Sequence, residues 1–572
     1  MDSQELLSLC RRRGFLWPAY DIYGGLAGFY DYGPLGALLK NNIESHWRKL
    51  YVFEEGLQEL VCPIIAPEPV FKASGHLDAF ADMYVECKKC GESHRADHLA
   101  EGLHGNPAAL SEDELGKVLE ENAVKCPVCK GELTSPRRFN LMFKTAVGAG
   151  SAKAGYMRPE TAQGMFVNFS AIYRHGREKL PVGAVQLGRA FRNEISPRQG
   201  LLRLREFSMM EAEVFFHPER KTWPRYAKVK DDVLPLVPND GPPASLSLAE
   251  AVSSKVIANE ALAYFIWLTH RFAVEVGLDP HRIRFRQHEK DEMAHYATDC
   301  WDLEAETSYG WVELVGVADR GCYDVQAHLK HSGTDLTAFE RFDEPREVTA
   351  EVVRPKFDVM GKQFKGKTKA LVERLGALSP EAVIGKESVA VEVDGERFTV
   401  PSECYEVTTR TEKVAGEKFV PHVIEPSYGV DRILYSVLEH AYSKKDDYVT
   451  LSLRGIVAPI KVGVFPLMPK DGMDKIALEV YDALIAEGIS ANYDESGSIG
   501  RRYARMDEAG TPCCVTVDHQ TIDDRTVTIR DRDSKEQTRI GVAEVARTVR
   551  GIVEGKPSGP GIGSETAEKR GN

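Results

Sequence analysis

Two cysteine pairs, Cys87-Lys-Lys-Cys90 and Cys126-Pro-Val-Cys129, constrain this chain more than any other local feature. Thiolates separated by two residues reach one ion from a single turn, and two such turns supply the tetrahedral four-sulfur shell that zinc favours. Closing the pairs on one ion folds the intervening chain back on itself. The stretch from roughly Gly75 to Asn140, rich in Glu, Lys, His and Gly, therefore reads as a small module inserted into a larger fold. His94 and His98 are alternative ligands nearby, although four cysteines already complete the shell. A closed shell leaves no open coordination position, so the expected zinc is structural. Eleven cysteines in 572 residues are too few for a disulfide scaffold and point to a reducing compartment.

That length predicts about three or four domains. With 43% hydrophobic residues the chain has ample material for a core, which excludes disorder as a whole-chain description. The first twenty residues lack a signal-peptide core, and no apolar run is long enough to span a bilayer. A soluble, cytoplasmic protein with no membrane partner is expected. The formal charge of −13 argues against nucleic-acid binding through a bulk positive field, but leaves a specific nucleic-acid partner open.

No fixed-period repeat is present. A Gly-rich loop from Tyr23 to Gly36 precedes Leu38, Leu39, Ile43 and Trp47, whose spacing predicts an amphipathic helix. Val182–Gly188 and Glu211–Phe216 read as strands joined by a hairpin excursion. Leu246–Val276 and Lys367–Leu378 read as helical, and Val389–Val400 as a hairpin turning at Asp394-Gly395. From about Pro459, strand and helix alternate as in an independent α/β domain. The segment after Gly555 has linker composition.

Two constellations carry chemistry. The hairpin bears Arg192, Glu194, Arg203 and Phe207: a guanidinium fork for phosphate, a carboxylate for an exocyclic amine, and a ring to stack on a purine. A salt-bridged, solvated hairpin is the bland alternative for these residues alone. Gly429-Val-Asp-Arg432, at a predicted helix start, combines close backbone approach with a cation where backbone N–H groups also favour anions.

Phe191-Arg-Asn-Glu194 through Glu211, and Gly429-Val-Asp-Arg432, resemble motifs 2 and 3 of the class II aminoacyl-tRNA synthetases. Arg158-Pro-Glu-Thr-Ala-Gln-Gly164, Trp311-Val-Glu-Leu-Val-Gly316, Glu425-Pro-Ser-Tyr-Gly429 and Tyr30-Asp-Tyr-Gly-Pro-Leu-Gly36 narrow the resemblance to the glycyl-tRNA synthetases of homodimeric type. It runs from Arg11 to about Val553. It implies an α+β fold: a class II antiparallel sheet flanked by helices, an inserted zinc module, and a C-terminal α/β anticodon-binding domain. The implied division is 1–75 with motif 1, 76–140 the zinc insertion, 141–329 the core with motif 2, and 330–420 a second insertion. Residues 421–455 then carry motif 3, 456–555 form the anticodon-binding domain, and 556–572 a disordered tail. The helix at Leu38–Tyr51 and the strand leading to Pro63 or Pro67 look like the dimer-forming motif 1.

By the same resemblance, adenine of ATP lies between Phe207 and Arg432, with Arg192 on the α-phosphate, Arg203 on the γ-phosphate and Glu194 on the adenine edge. Asn193, Leu202, Leu204, Arg205, Glu206, Leu314, Gly429, Val430 and Asp431 surround the nucleotide, and Glu313 coordinates Mg2+. Arg192, Arg432 and Glu313 are the implied catalytic residues. Glycine has only an ammonium and a carboxylate to grip. Glu160, Glu211 and Glu425 surround the ammonium beside Ser427, and Arg95 or Arg320 faces the carboxylate. Phe207, Ser208, Met209, Met210, Pro426, Tyr428 and Gly429 complete the implied pocket.

The expected reaction is activation of glycine by ATP and transfer to tRNA. A synthetase for proline, serine or alanine, and a catalytically dead paralogue, are the rival readings. The glutamate-rich pocket disfavours the first and the full phosphate-binding set the second. Residues 456–555 hold 13 Lys/Arg against 17 Asp/Glu, so net charge does not mark them as tRNA-binding. Arg501, Arg502, Arg505, Arg525, Arg530 and Arg532 are the candidate anticodon contacts.

Overall fold

The computed structural model describes residues 3–150, 153–197, 200–289 and 297–555. The expected disordered tail, 556–572, lies outside these residues. Among the described residues no helix is long and apolar enough to cross a membrane. The chain divides into two compact units, Thr337–Phe419 and the remainder.

The larger unit is built on a nine-stranded sheet. In chain order its strands are β1 (Gln58–Leu60), β2 (Val182–Phe191), β3 (Glu206–Phe216), β4 (Val233–Val237), β5 (Ala244–Ser247), β6 (Ile283–Gln287), β7 (Asp299–Thr307), β8 (Gly310–Gly321) and β9 (His422–Gly429). Their spatial order is β5-β4-β6-β7-β8-β9-β3-β2-β1. Pairing from β6 through β2 is antiparallel, and only β1/β2 and β4/β6 run parallel. The motif-bearing strands β3 and β9 lie side by side near the middle, although more than 200 residues separate them in sequence.

One face of the sheet is covered by α1 (Pro34–Arg48) and α3 (Glu260–Val276). Leu39, Ile43 and Trp47, four residues apart, put one stripe of α1 into the core, while Leu38 from the expected stripe is exposed. Trp47 stacks on Tyr51 at 4.5 Å, the Tyr51 hydroxyl meets that of Tyr428 at 2.7 Å, and Tyr428 meets Thr269 of α3 at 2.8 Å. The helical reading of Leu246–Val276 is corrected: it contains β5, a short helix Leu248–Ser253, and then α3. Ser247 and Asn259 each cap a new helix start with a side-chain oxygen, and these two caps divide the segment.

The cysteine-bearing module has its own three-stranded sheet (Ala81–Glu86, Ser93–Arg95, Arg137–Asn140) and a helix, Glu112–Glu121, started by a Ser111/Glu114 capping box. Val85, Ala96, Ala100, Leu115 and Leu119 form its separate apolar cluster. The unit Thr337–Phe419 is a long two-stranded ribbon capped by helices and the hairpin Ser388–Val393/Glu396–Pro401, which turns at Asp394 and Gly395, both with positive φ. That φ pair is what a two-residue hairpin requires.

The C-terminal domain packs α6 (Met473–Ala486), α7 (Ile499–Glu508) and α8 (Val545–Val553) on a five-stranded sheet. Its strands are β10 (Val462–Pro466), β11 (Ala491–Tyr493), β12 (Cys513–Val517), β13 (Thr526–Asp531) and β14 (Gln537–Gly541), in the order β11-β10-β12-β13-β14. Here the candidate anticodon arginines are largely reassigned. Arg502 is buried and donates to the carbonyls of Pro466, Leu467 and Asp494. Arg530 is buried on Asp507, Arg532 holds the carbonyls of Leu453 and Gly510, and Arg505 is paired with Asp494. These side chains hold the domain together, and the exposed cations of the set are Arg501 and Arg525.

Candidate active site

Antiparallel register lays the site out in rows across the open face of the sheet. One row reads Gln186, Glu211, Ser427, Gly316, Asp302 across β2, β3, β9, β8 and β7. The next contains Ala184 opposite Glu213, and Glu425 opposite Ala318, itself opposite Cys300. Because Glu211 pairs with Ser427 and Val214 with Ile424, Glu213 stands across from Glu425. On the other side lies Gly188, Met209, Gly429. Side chains alternate faces along a strand, so Phe207, Met209, Glu211 and Glu213 share this face. A Cβ at Gly188 would lie 2.1 Å from Arg158 Nη2, so any side chain there would displace that guanidinium.

The carboxylates of these rows are buried together. Glu211 accepts from the Thr161 N–H at 2.6 Å, from the Thr161 hydroxyl, and from Ser427 Oγ at 2.7 Å. Glu160, just before α2 (Ala162–Val167), accepts from Gln163 Nε2 at 2.8 Å and faces His76 at 3.6 Å. Arg320 donates to Glu425 at 2.6 Å and makes a two-pronged contact with Asp324 of α4 (Tyr323–Ser332) at 2.8 and 2.9 Å. One guanidinium thus serves two carboxylates. Burial pushes the Glu425 carboxyl up to about 7, with Glu211 and Glu160 adding to the rise against Arg320. Burial and then Glu160 also raise Glu211. At Glu160 burial acts in the same upward sense, but His76, Arg320 and Gln163 outweigh it and hold the carboxyl well below its ordinary value. Glu213 is fully buried, neither carboxyl oxygen has a hydrogen-bond partner, and burial followed by Glu425 drives it well above the ordinary range.

Sequence reading missed Glu213, Asp324, Thr161, Gln163 and His76. Glu213 was accessible: Glu211-Ala-Glu213 on a strand puts both carboxylates on one face. Thr161 and Gln163 lie within the motif Arg158–Gly164, whereas His76 and Asp324 reach the pocket through tertiary packing and carry no local signal.

Beside the carboxylates lies a cleft of arginines. Arg192, at the end of β2, stands 5.4 Å from the centroids of Phe207 and Phe80 and donates to the Pro159 carbonyl. Arg432, in the first turn of α5 (Val430–Ala441), donates to the Leu202 carbonyl at 3.1 Å, and to the Glu313 carbonyl and carboxylate at 2.9 and 3.1 Å. Asn193 donates its N–H to Leu141, Glu194 faces Arg203 at 3.8 Å, and Glu206 faces Arg189 at 3.7 Å. Pro426 lies between Glu425 and Ser427 on β9.

Several residues expected around the ligands have side chains engaged elsewhere in the fold. Met210, Tyr428 and Leu314, by strand alternation, and Val430, on the inner face of α5, belong to the main core cluster, as do Leu202 and Leu204 from the segment between β2 and β3. Ser208 is buried on the same side as Met210, and Asp431 accepts from its N–H and from the Tyr32 hydroxyl. Arg205 is engaged by the carbonyls of Ala27 and Glu194. For these residues only the backbone remains for a ligand. Arg95 is paired with Asp82 and Asp97 and lines a recess of about 260 Å³ with His94, His98 and Arg203, whereas Arg320 sits among the glutamates.

The four cysteine sulfurs lie within 4.8 Å of one another. Cys87 and Cys129 are 3.4 Å apart and Cys90 and Cys126 3.7 Å, near the edge of about 3.8 Å that Zn–S bonds of about 2.3 Å dictate for a tetrahedron. A Cβ at Gly131 would lie 2.9 Å from Cys87 Sγ, so the cradle demands glycine. His94 Nε2 approaches Cys126 Sγ at 3.4 Å, as a hydrogen-bond partner of a ligand, and His98 faces the Arg203 recess. The residues fit a structural zinc.

Comparison with known proteins gives a consistent picture. Residues 150–441 match the tRNA synthetase class II core domain (G, H, P, S and T), and residues 461–552 match the anticodon binding domain. The chain is 48% identical to the glycine–tRNA ligase of Methanothrix thermoacetophila over 561 residues, covering 96% of this chain and 97% of the relative. It is 48% identical to that of Methanococcus vannielii over 556 residues (94% and 97%) and 47% identical to that of Methanocaldococcus jannaschii over 561 (95% and 97%).

Two outcomes are expected from this geometry. A carboxyl raised from 4.5 to about 7 stabilises the fold below its ordinary value, and that stabilisation is lost as pH rises through 7. Glu425→Gln should therefore match the ligand-free wild type near pH 5 but exceed it by on the order of 2 kcal/mol near pH 8, read by denaturant titration. Equal stability at both pH values would contradict the carboxylate strain. Elemental analysis should find one zinc per chain, absent in Cys126→Ser, with faster proteolysis within residues 76–140.

Proposed function

The chain belongs to the glycine–tRNA ligases, with a class II synthetase core and an anticodon-binding domain, and from that premise we propose how its own residues perform the reaction. A glycine carboxylate oxygen attacks the α-phosphorus of ATP, forming glycyl-adenylate and releasing pyrophosphate. The 3′-terminal adenosine of tRNA then accepts the glycyl group and AMP leaves. The observation that carries this assignment is the juxtaposition of the buried Glu160–Glu211–Glu425 cluster with the Arg192–Phe207–Arg432 cleft on one sheet face.

The ammonium of glycine enters the carboxylate cluster and relieves its mutual repulsion, while Arg320, already oriented by Asp324, faces the substrate carboxylate. Crowding of carboxylates around the ammonium is the proposed reason that alanine and larger substrates are disfavoured. Arg192 holds the α-phosphate as negative charge gathers there, and Phe207 and Arg432 sandwich adenine. Arg203 faces the γ-phosphate and Glu194 the adenine edge. The attacking carboxylate is ionised already, so no general base is required, and alignment supplies most of the remaining acceleration. Glu313 presents oxygen ligands suited to Mg2+, which would neutralise phosphate charge. The complete arginine set disfavours a dead paralogue.

We read residues 76–140 as the zinc insertion, 330–420 as a second insertion and 456–555 as the tRNA-reading domain; the separate compactness of Thr337–Phe419 supports the second. Exposed Ile22, Tyr23, Phe53, Val61 and Ile65 on the N-terminal segment support a homodimer, since so many apolar side chains on one short segment favour coverage. The cytoplasm, where tRNA is charged and thiols stay reduced, is the matching compartment.

With all twenty amino acids, ATP–pyrophosphate exchange is expected with glycine alone. Arg432→Ala should lower that exchange about 10²-fold or more while leaving the fold intact by circular dichroism. Exchange with serine or proline instead of glycine would overturn the reading, as would full exchange in the arginine variant. Light scattering should give twice the chain mass.

A further inference from the structure

The helix that carries Arg432 in its first turn, α5, runs directly into a hairpin, Tyr442–Lys445 and Tyr448–Leu451. The returning strand of this hairpin touches the C-terminal domain. Tyr448 donates its hydroxyl to Asp507 Oδ2 at 2.6 Å. Asp507 is fully buried at the end of α7 and is already held inside its own domain by Arg530, at 3.1 and 3.0 Å, and by Lys535 at 2.7 Å. The Lys535 ammonium also lies 5.0 Å from the Tyr448 ring centroid.

The next residue makes a second latch. Glu508 accepts from Arg12 at 3.1 Å and Arg13 at 2.5 Å, both on the helix Ser3–Arg13. That helix returns to the hairpin, because Glu5 accepts from Lys444 at 2.6 Å and Tyr442 at 3.3 Å. A third contact lies just beyond the hairpin: Ser452 donates to Asp533 at 2.9 Å, Arg532 holds the Leu453 carbonyl, and Leu453 seats so closely on Gly510 that a Cβ there would come within 2.4 Å. Acidic residues in the last turn of a helix oppose its dipole, so placing Asp507 and Glu508 there is unfavourable for α7 alone. Arg530 and Lys535 offset that cost for Asp507 within the domain, and Arg12 and Arg13 offset it for Glu508 across the joint.

We propose that Tyr448 and the Asp507–Glu508 pair form a joint that positions the anticodon-binding domain against the catalytic sheet, so that a tRNA held at one end presents its 3′ terminus at the other. The inference rests on the tRNA-charging activity proposed above. Tyr448 is a positioning residue: it touches neither nucleotide nor amino acid, and it acts through the helix that carries Arg432 and through α7.

The test uses the full chain. Tyr448→Phe removes the bridging hydroxyl while leaving Asp507 paired with Arg530 and Lys535, and Glu508→Gln weakens the second latch. Three quantities are read in each variant and in the double variant: glycine-dependent ATP–pyrophosphate exchange, tRNA charging, and affinity for an isolated anticodon stem–loop. In the double variant the charging kcat should fall about tenfold or more, since one hydrogen bond to a charged group is lost and the Arg12 and Arg13 contacts are weakened, with exchange and stem–loop affinity within about twofold of wild type. Unchanged charging in the double variant would overturn the proposal. So would a charging loss that tracks lost stem–loop affinity, because that is general damage to the domain. Wild-type chain that exchanges but charges no tRNA would instead remove the functional reading beneath it.

Discussion

Antiparallel register is the constraint on which the rest of the structure depends. Once Glu211 is opposite Ser427 and Ser427 opposite Gly316, every second residue of β3, β9 and β8 faces the cleft and the rest face the helices. A slip of one residue would put Met210 and Tyr428 into the cleft and Glu211 into the core. The aromatic cluster beneath, in which Tyr428 meets both Tyr51 and Thr269, penalises that slip. Catalytic geometry is thereby held in place by packing on the opposite face.

The same register concentrates negative charge. Glu211, Glu213 and Glu425 are adjacent on the sheet, Asp324 approaches from α4 and Glu160 from the loop before α2, and Arg320 with His76 still leaves carboxylates in excess. A buried carboxylate cluster resolves such an imbalance by holding protons or by taking up a cation. An ammonium substrate is the second solution. On the proposed reading, the pocket binds by relieving strain already present, which selects for a ligand that is small and positively charged at one end. Glycine meets both conditions.

Legibility in the sequence followed how local each determinant is. Arg192, Phe207 and Arg432 lie in contiguous motifs, and the structure brings Arg192 beside Phe207; the cysteine cluster was readable because two short turns set its geometry. The hairpin at Asp394-Gly395 was likewise encoded by its turn residues. Leu246–Val276 misled because apolar spacing continues across two caps, so periodicity hid the break. Ser208, Met210 and Asp431 were assigned by position within a motif, yet the fold turns their side chains inward. The arginines of the C-terminal domain misled for a related reason: a helical stripe of cations does not say which side meets the sheet, and Arg502 meets it.

The burial of those arginines changes how an acidic chain can bind a polyanion. Arg502, Arg530 and Arg532 spend their donors on carbonyls and carboxylates inside the protein, so they add little to the field a phosphate backbone would meet. Charge attraction is therefore a weak route to affinity here, and shape must carry more of it. A ligand recognised by shape across two distant ends is sensitive to their separation and angle. Rigid connection between the ends then has functional value, and the zinc module makes a similar connection at the catalytic end. Its Ser93 carbonyl accepts from Ser196 in the turn after β2, and its Arg95 and His98 line the recess that also receives Arg203. A structural metal held by the four cysteines would fix where Arg203 stands, because the module around them is part of the wall of that recess.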